Sequence, residues 1–319
     1  MTEQYLHNHK DFESLIRIVA EEKHIQPYLI EKDYWIMQVL YGLQQQGYDF
    51  ELKGGTSLSK GYKIINRFSE DIDVQINPPD ALGVITNTKK IKAAHVKSRQ
   101  DYYDGLARQI KIDGIVNIVR DTEFDDLDYY RSAGIRLKYH SYTEALPTLK
   151  EGILLEVGFD DVNPNSPIDI SSWAYDYAMA LPNPVDVIDN RAKAVKCYHP
   201  GYTFVEKLQT VVTKFRIEQS IGKKSKNFLR QYYDLYELLN HKEVLDFIGT
   251  EAYQAHKEKR FRGADKEVPL QENEALRFSS KRIFASYETR YLATSDLYYN
   301  GQTAFREIID RIHQYLPQL

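Results

Sequence analysis

Apolar positions in residues 11–23 recur at helical spacing, with Phe12, Leu15, Ile16 and Val19 on one face and charges opposite. A second helix is predicted from Pro27, a residue tolerated in a first turn, to about Gln46, stopping before Gly47. Residues 50–52 alternate like the end of a strand, Gly54-Gly55 breaks the pattern, and Thr56-Ser57-Leu58-Ser59-Lys60 suits the first turn of a helix. Residues 71–76 then alternate acidic or polar with apolar side chains at a period of two. After Pro78-Pro79, residues 86–112 read as a polar, basic helix. Strand-like alternation returns at 114–120, 129–139 and 152–159, extending the sheet. Two Pro/Asn-rich loops, at 163–167 and 182–184, mark a boundary. Beyond it the spacing is helical, over 204–221, 227–240 and a final amphipathic stretch at 303–315. The expected architecture is α+β: a mixed sheet with flanking helices over residues 1–185, then a mainly helical domain over 186–319.

Composition adds exclusions. At 319 residues the chain can bury a substantial core. Its 42 basic and 46 acidic side chains leave a formal charge of −4, which argues against a passive nucleic-acid coat but allows a local basic surface. The 25 tyrosines lie outside any low-complexity tract and read mostly as half-buried packing residues. The single cysteine, Cys197, excludes an intramolecular disulfide and a cysteine-rich metal site. Residues 1–10 lack an apolar core and no apolar run is long enough to span a bilayer, so a cytoplasmic protein without membrane association is expected.

The chemistry gathers at residues 50–76. Glycines let the backbone approach a bulky ligand, and a helix start offers unpaired N–H groups to phosphate. Asp71 and Asp73 are two apart, so a strand puts both on one face, roughly 7 Å apart. Such carboxylates repel unless a cation lies with them, and oxygen donors suit Mg2+ or Mn2+, which also bind nucleotide phosphates. Glu156 is an acid inside an otherwise apolar strand, where it meets either a metal or a basic partner. The segment Glu31-Lys32-Asp33-Tyr34-Trp35 reads as a charged helix face beside an aromatic core face. Lys89, Lys90, Lys92, Lys97 and Arg99, and the loop at 223–226, read either as solvated surface or as contacts to an RNA backbone.

In this order, a Gly-Gly turn and an Asp-x-Asp strand resemble the polymerase-beta-type nucleotidyltransferase superfamily. The closer resemblance is to the AbiEii/AbiGii toxin family, through Lys53-Gly54-Gly55-Thr56-Ser57-Leu58 and Arg67-Phe68-Ser69-Glu70-Asp71-Ile72-Asp73. The spacer between glycines and aspartates is longer than in the wider superfamily and ordinary for the toxins. Glu206-Lys207-Leu208 and the Arg230–Leu235 segment, with Asp234, also resemble family motifs; read without the family they are an exposed lysine and a surface aspartate. The resemblance implies a polymerase-beta-like fold and transfer of NMP from an NTP substrate to an acceptor. Asp71 and Asp73 would be catalytic and metal-binding, with Glu156 a third ligand. Gly54, Gly55, Thr56 and Ser57 would cradle the triphosphate, Lys60 adding charge unless it is a surface lysine. Lys207 and Asp234, from a helical domain contributing to the active-site cleft, would complete the catalytic set, Asp234 either holding Lys207 or meeting the acceptor. The acceptor implied is RNA, such as a tRNA 3′ end, and the setting a type IV toxin–antitoxin or abortive-infection pair with a cognate antitoxin. The alternatives are a protein or small-molecule acceptor, and a non-catalytic nucleotide-binding protein.

Overall fold

The computed structural model describes residues 4–146, 149–225 and 228–319. Residues 1–3 of the N-terminal stretch, Lys226 of the basic loop and Asn227 at the expected start of a helix lie outside the described residues. The chain divides into two compact units, one of residues 1–62 with 69–198, the other of 63–68 with 199–319.

The first unit is built on a seven-stranded mixed sheet of the described residues, in the order β3-β4-β5-β2-β1-β7-β6. Its strands are β1 (Asp49–Lys53), β2 (Asp71–Asn77), β3 (Ile115–Arg120), β4 (Ser132–Tyr139), β5 (Ile153–Gly158), β6 (Asn165–Ile170) and β7 (Ala192–Tyr198). At the centre, β1 and β2 pair antiparallel with Lys53 opposite Asp73, and β2 and β5 pair parallel with Asp73 opposite Glu156. The helices are α1 (Phe12–Lys23), α2 (Pro27–Gln45), the single turn α3 (Gly54–Thr56), α4 (Ala93–Gln109) and α5 (Trp173–Ala180). A π-helical turn at Ser57–Gly61 continues α3, so the helical backbone begins at the glycines rather than after them.

Three features depart from the expectation drawn from periodicity. Residues 165–170 form the edge strand β6, which takes in the second part of the loop expected at 163–167, and β7 carries the sheet past residue 185. Pro167 disguises β6; a proline lacks the N–H a central ladder needs, but an edge strand tolerates it. The helix expected at 86–112 spans only Ala93–Gln109. Arg99 is fully buried, donating to the carbonyls of Tyr129, Ile85 and Lys90, which removes it from any surface basic cluster. Finally, Glu31, Lys32 and Asp33 are buried, not on a solvated face. Nearly every side of α2 is buried, so its low amphipathicity marks a core helix.

The second unit is helical: α6 (Pro200–Ile221), α7 (Arg230–Leu238), α8 (Lys242–Phe247), α9 (Glu251–Arg260), α10 (Glu274–Arg277), α11 (Lys281–Leu292) and α12 (Phe305–Tyr315). Tyr232, Phe278, Tyr287 and Phe305 form an aromatic core, with the Tyr232 hydroxyl donating to the Ala275 carbonyl at 2.9 Å. Across both units the tyrosines are buried or half-buried, apart from the exposed Tyr142. Residues 63–68 join this unit through Phe68 N–H to Leu297 O (2.8 Å) and Asn66 N–H to the Tyr233 hydroxyl (3.1 Å).

Candidate functional site

Strand β2 alternates between half-buried and buried positions, so Asp71, Asp73 and Gln75 share the half-exposed face while Ile72, Val74 and Ile76 enter the core. Glu156 is the register partner of Asp73 on the parallel neighbour β5 and is also half-buried. The topology thus brings two of the three acidic residues side by side, with Asp71 two positions along the same face.

The glycine turn meets this face directly. Gly54 has φ +70°, a left-handed conformation costly for any other residue. A Cβ there would overlap Asp73 Oδ2 and stand 3.0 Å from its Cγ. The Asp73 carboxylate occupies the space that the missing side chain leaves. Thr56 is fully buried and its hydroxyl donates to the Asp71 carbonyl, tying the turn to the first residue of β2. Ser57 is also fully buried and faces the Cys197 thiol, which burial pushes up to about 12 against the pull of that hydroxyl. The Thr56 and Ser57 side chains are therefore turned into the fold.

Behind the turn, α2 supplies buried charges. Asp33, fully buried, accepts from Lys60 Nζ at 2.6 Å and from Trp173 N–H at 2.8 Å. Burial pushes its carboxyl up, against the opposing effect of Lys60. Lys60 also lies 5.1 Å from the centre of the Trp173 ring, so its ammonium is balanced within the fold. Lys32 donates to the Lys150 carbonyl at 2.7 Å and lies 3.8 Å from Glu70, the residue preceding Asp71. Burial lowers its pKa, with Glu70 and Asp71 opposing. The adjacent residues Lys32 and Asp33 therefore hold the chain at Lys60, where it leaves the glycine turn, and at Glu70, where it enters β2. Neither role was assigned from periodicity. The available signal was a charged triplet inside a helix too apolar for exposure, since buried charges must be paired.

Within the second unit, Lys207 on α6 and Asp234 on α7 come together. Lys207 Nζ donates to Asp234 Oδ2 at 2.6 Å and to Gln231 Oε1 at 2.9 Å. Arg67 grips the same carboxylate from the other side, Nε to Oδ1 and Nη2 to Oδ2, both at 2.6 Å. Asp234 is fully buried, so it is no surface aspartate, and Lys207 is only 7% exposed. Burial works to raise the Asp234 pKa, but Arg67 and Lys207 outweigh it and hold the carboxyl at about 2. Burial lowers the Lys207 pKa, with Asp234 opposing and Arg67 adding to the depression.

The oxygen donors on β2 suit a divalent ion. Among the described residues, no three acidic, histidine or cysteine side chains form a group that could hold a metal. Mg2+ typically keeps several waters and takes one or two carboxylates plus substrate phosphates. Two carboxylates on one strand face, one of them against a glycine turn, fit that requirement. Among the described residues no helix is long and apolar enough to cross a membrane.

A family model described as "Nucleotidyl transferase AbiEii toxin, Type IV TA system" matches residues 38–311, a span that takes in the glycine turn, both β2 aspartates, Lys207 and Asp234. Comparison with curated proteins gives no match.

Proposed function

The chain belongs to the AbiEii nucleotidyltransferase toxin family of type IV toxin–antitoxin systems, and from that premise we propose a metal-dependent enzyme that moves NMP from an NTP to RNA. The acceptor in this reading is the 3′ end of a tRNA. The acceptor hydroxyl attacks the α-phosphorus, a new P–O bond forms, the bond to the β-phosphate oxygen breaks, and pyrophosphate leaves. A Mg2+ or Mn2+ ion held by Asp71 and Asp73, with Glu156 beside Asp73, would stabilise the attacking and leaving oxygens.

The observation that carries the reading is the seat of Asp73 against Gly54. It sets a backbone able to approach phosphates next to a carboxylate able to share their cation. Gly54, Gly55, Thr56 and Ser57 form the turn that cradles the triphosphate, and Lys60, anchored by Asp33, holds the exit of that turn in place. Lys207 neutralises charge developing on the phosphoryl oxygens, and Asp234 holds it. Such chemistry is positioning and charge stabilisation and needs no separate nucleophilic side chain. Lys89, Lys90, Lys92 and Lys97, with Lys223 and Lys224, are the RNA-backbone contacts in this reading. The biological setting is a cytoplasmic toxin restrained by a cognate antitoxin during phage defence.

The test is transfer of label from each α-labelled NTP, with Mg2+ and total bacterial RNA, comparing wild type with Asp71→Ala/Asp73→Ala. Label in a tRNA-sized band with wild type alone is the expected result and names the nucleotide. No label in RNA from any of the four NTPs, with folded protein, overturns the RNA acceptor. Loss of label on adding EDTA, with recovery on Mg2+, checks the metal.

A further inference from the structure

We propose that Arg67 is a positioning residue for Lys207: through its two-pronged grip on Asp234 it fixes the carboxylate and keeps the lysine ammonium both oriented and electropositive. The inference rests on the reading of Lys207 as the phosphate-facing cation.

The geometry assigns Asp234 away from the acceptor. Each of its oxygens is within 2.6 Å of a cationic donor, and the residue is fully buried. An aspartate so enclosed has no oxygen to offer an incoming hydroxyl; what it contacts is Lys207 and Arg67. Arg67 in turn is 2% exposed, and its Nη1 donates to its neighbour's carbonyl, Phe68 O, at 3.2 Å. The backbone around it is pinned by a bridge between Arg67 and Tyr298 and by the Phe68–Leu297 hydrogen bond. The guanidinium is thus a rigid fork, and the carboxylate plane follows it.

Two consequences reach Lys207. A lysine side chain is flexible, yet this one is held at Nζ by two acceptors from one face of α7, Gln231 and Asp234. Its third N–H has no protein partner among the described residues and is the donor left for an anion. The second consequence is charge. With Arg67 present, two cations share one carboxylate, so the group keeps a net positive charge. Without Arg67, Asp234 and Lys207 would form a neutral pair, and the carboxylate would be able to turn fully onto the ammonium. Arg67 also lies in the same short stretch as the β2 aspartates, four residues before Asp71, although residues 63–68 belong to the second unit and 69–73 to the first. A single segment therefore contributes to both halves of the proposed chemistry.

The test compares Arg67→Met and Arg67→Lys with wild type, by labelled-NTP transfer and by NMR of the 15N-labelled lysine ammonium groups, the Lys207 signal being assigned with Lys207→Arg. Arg67→Met is expected to lower kcat about 100-fold with KM for NTP within about threefold, since a lost transition-state interaction appears in kcat. Arg67→Lys, which keeps the charge but not the fork, should fall between, and millimolar guanidinium should restore Arg67→Met at least tenfold. The Lys207 ammonium signal should be sharp in wild type and shifted or lost in both variants. An unchanged Lys207 signal in Arg67→Lys, or transfer within threefold of wild type in either variant, overturns the proposal. Arg67→Lys preserves the charge balance and decides the question if Arg67→Met does not fold. If wild type transfers nothing to any acceptor, the nucleotidyl-transfer reading fails, and the ammonium signal still tests the Arg67 assignment.

Discussion

The contact between the glycine turn and Asp73 is tested most sharply by Gly54→Ala. At φ +70° an alanine carries a backbone cost of roughly 1–2 kcal/mol. Its Cβ would also overlap Asp73 Oδ2, with Asp73 Cγ at 3.0 Å and Cβ at 3.2 Å. Comfortable separations are about 3.5–4.0 Å, so the carboxylate must move by roughly 0.5–1 Å. Overpacking of that kind adds about 1–3 kcal/mol, giving a total of about 2–5 kcal/mol. Displacing a reacting group by about 1 Å costs on the order of 100-fold in rate. Gly47→Ala is the control, because Gly47 has φ +76° with nothing within 4 Å of the added Cβ. It incurs only the backbone cost, about 1–2 kcal/mol, and leaves transfer unchanged. Urea denaturation followed by circular dichroism gives the stability difference, and labelled-NTP transfer on the folded fraction gives the rate. If Gly54→Ala unfolds within about 0.5 kcal/mol of Gly47→Ala and transfers label at the wild-type rate, the packing argument is refuted.

Other perturbations separate the buried charges. Glu31 accepts from the Ser141 hydroxyl (2.9 Å), Tyr142 N–H (3.0 Å), Thr143 N–H (3.1 Å) and the Thr143 hydroxyl (2.6 Å), so Glu31→Gln, which aims donors at donors, should cost about 2–4 kcal/mol in urea denaturation. Asp33→Asn strands a nearly buried Lys60 and should cost about 3–5 kcal/mol; the double variant Asp33→Asn/Lys60→Met should recover much of that loss, and a simple sum of the single effects would contradict the pairing. The depressed Asp234 pKa fixes a sign: its contribution is complete above the unfolded value near 3.8 and is lost as pH falls towards about 2. A shift of this size is on the order of 2 kcal/mol, so stability measured at pH 6 and pH 3 should fall more in wild type than in Arg67→Met; equal falls would speak against it.

Chain-local patterning determined much of this protein. The period-two run at 71–76 is strand β2 with both aspartates on its half-exposed face, and the helical spacing at 11–23 and 303–315 is α1 and α12. The order Gly-Gly, helix turn, Asp-x-Asp carries the family, which the match over residues 38–311 shows. These are legible because a strand or helix states its buried face in its own repeat. What the repeat cannot state is who lies on the other side. Only the tertiary structure sets Glu156 beside Asp73, residues 83 positions apart in a parallel register. It alone buries Lys32 and Asp33 against Glu70 and Lys60, and takes Arg99 out of the basic cluster to close a loop. Read without the family, Lys207 and Asp234 are surface residues; the structure buries both and has Arg67, 167 positions from Asp234, share the carboxylate. A charge far along the chain leaves no local periodicity, yet it decides whether a buried ion is stable.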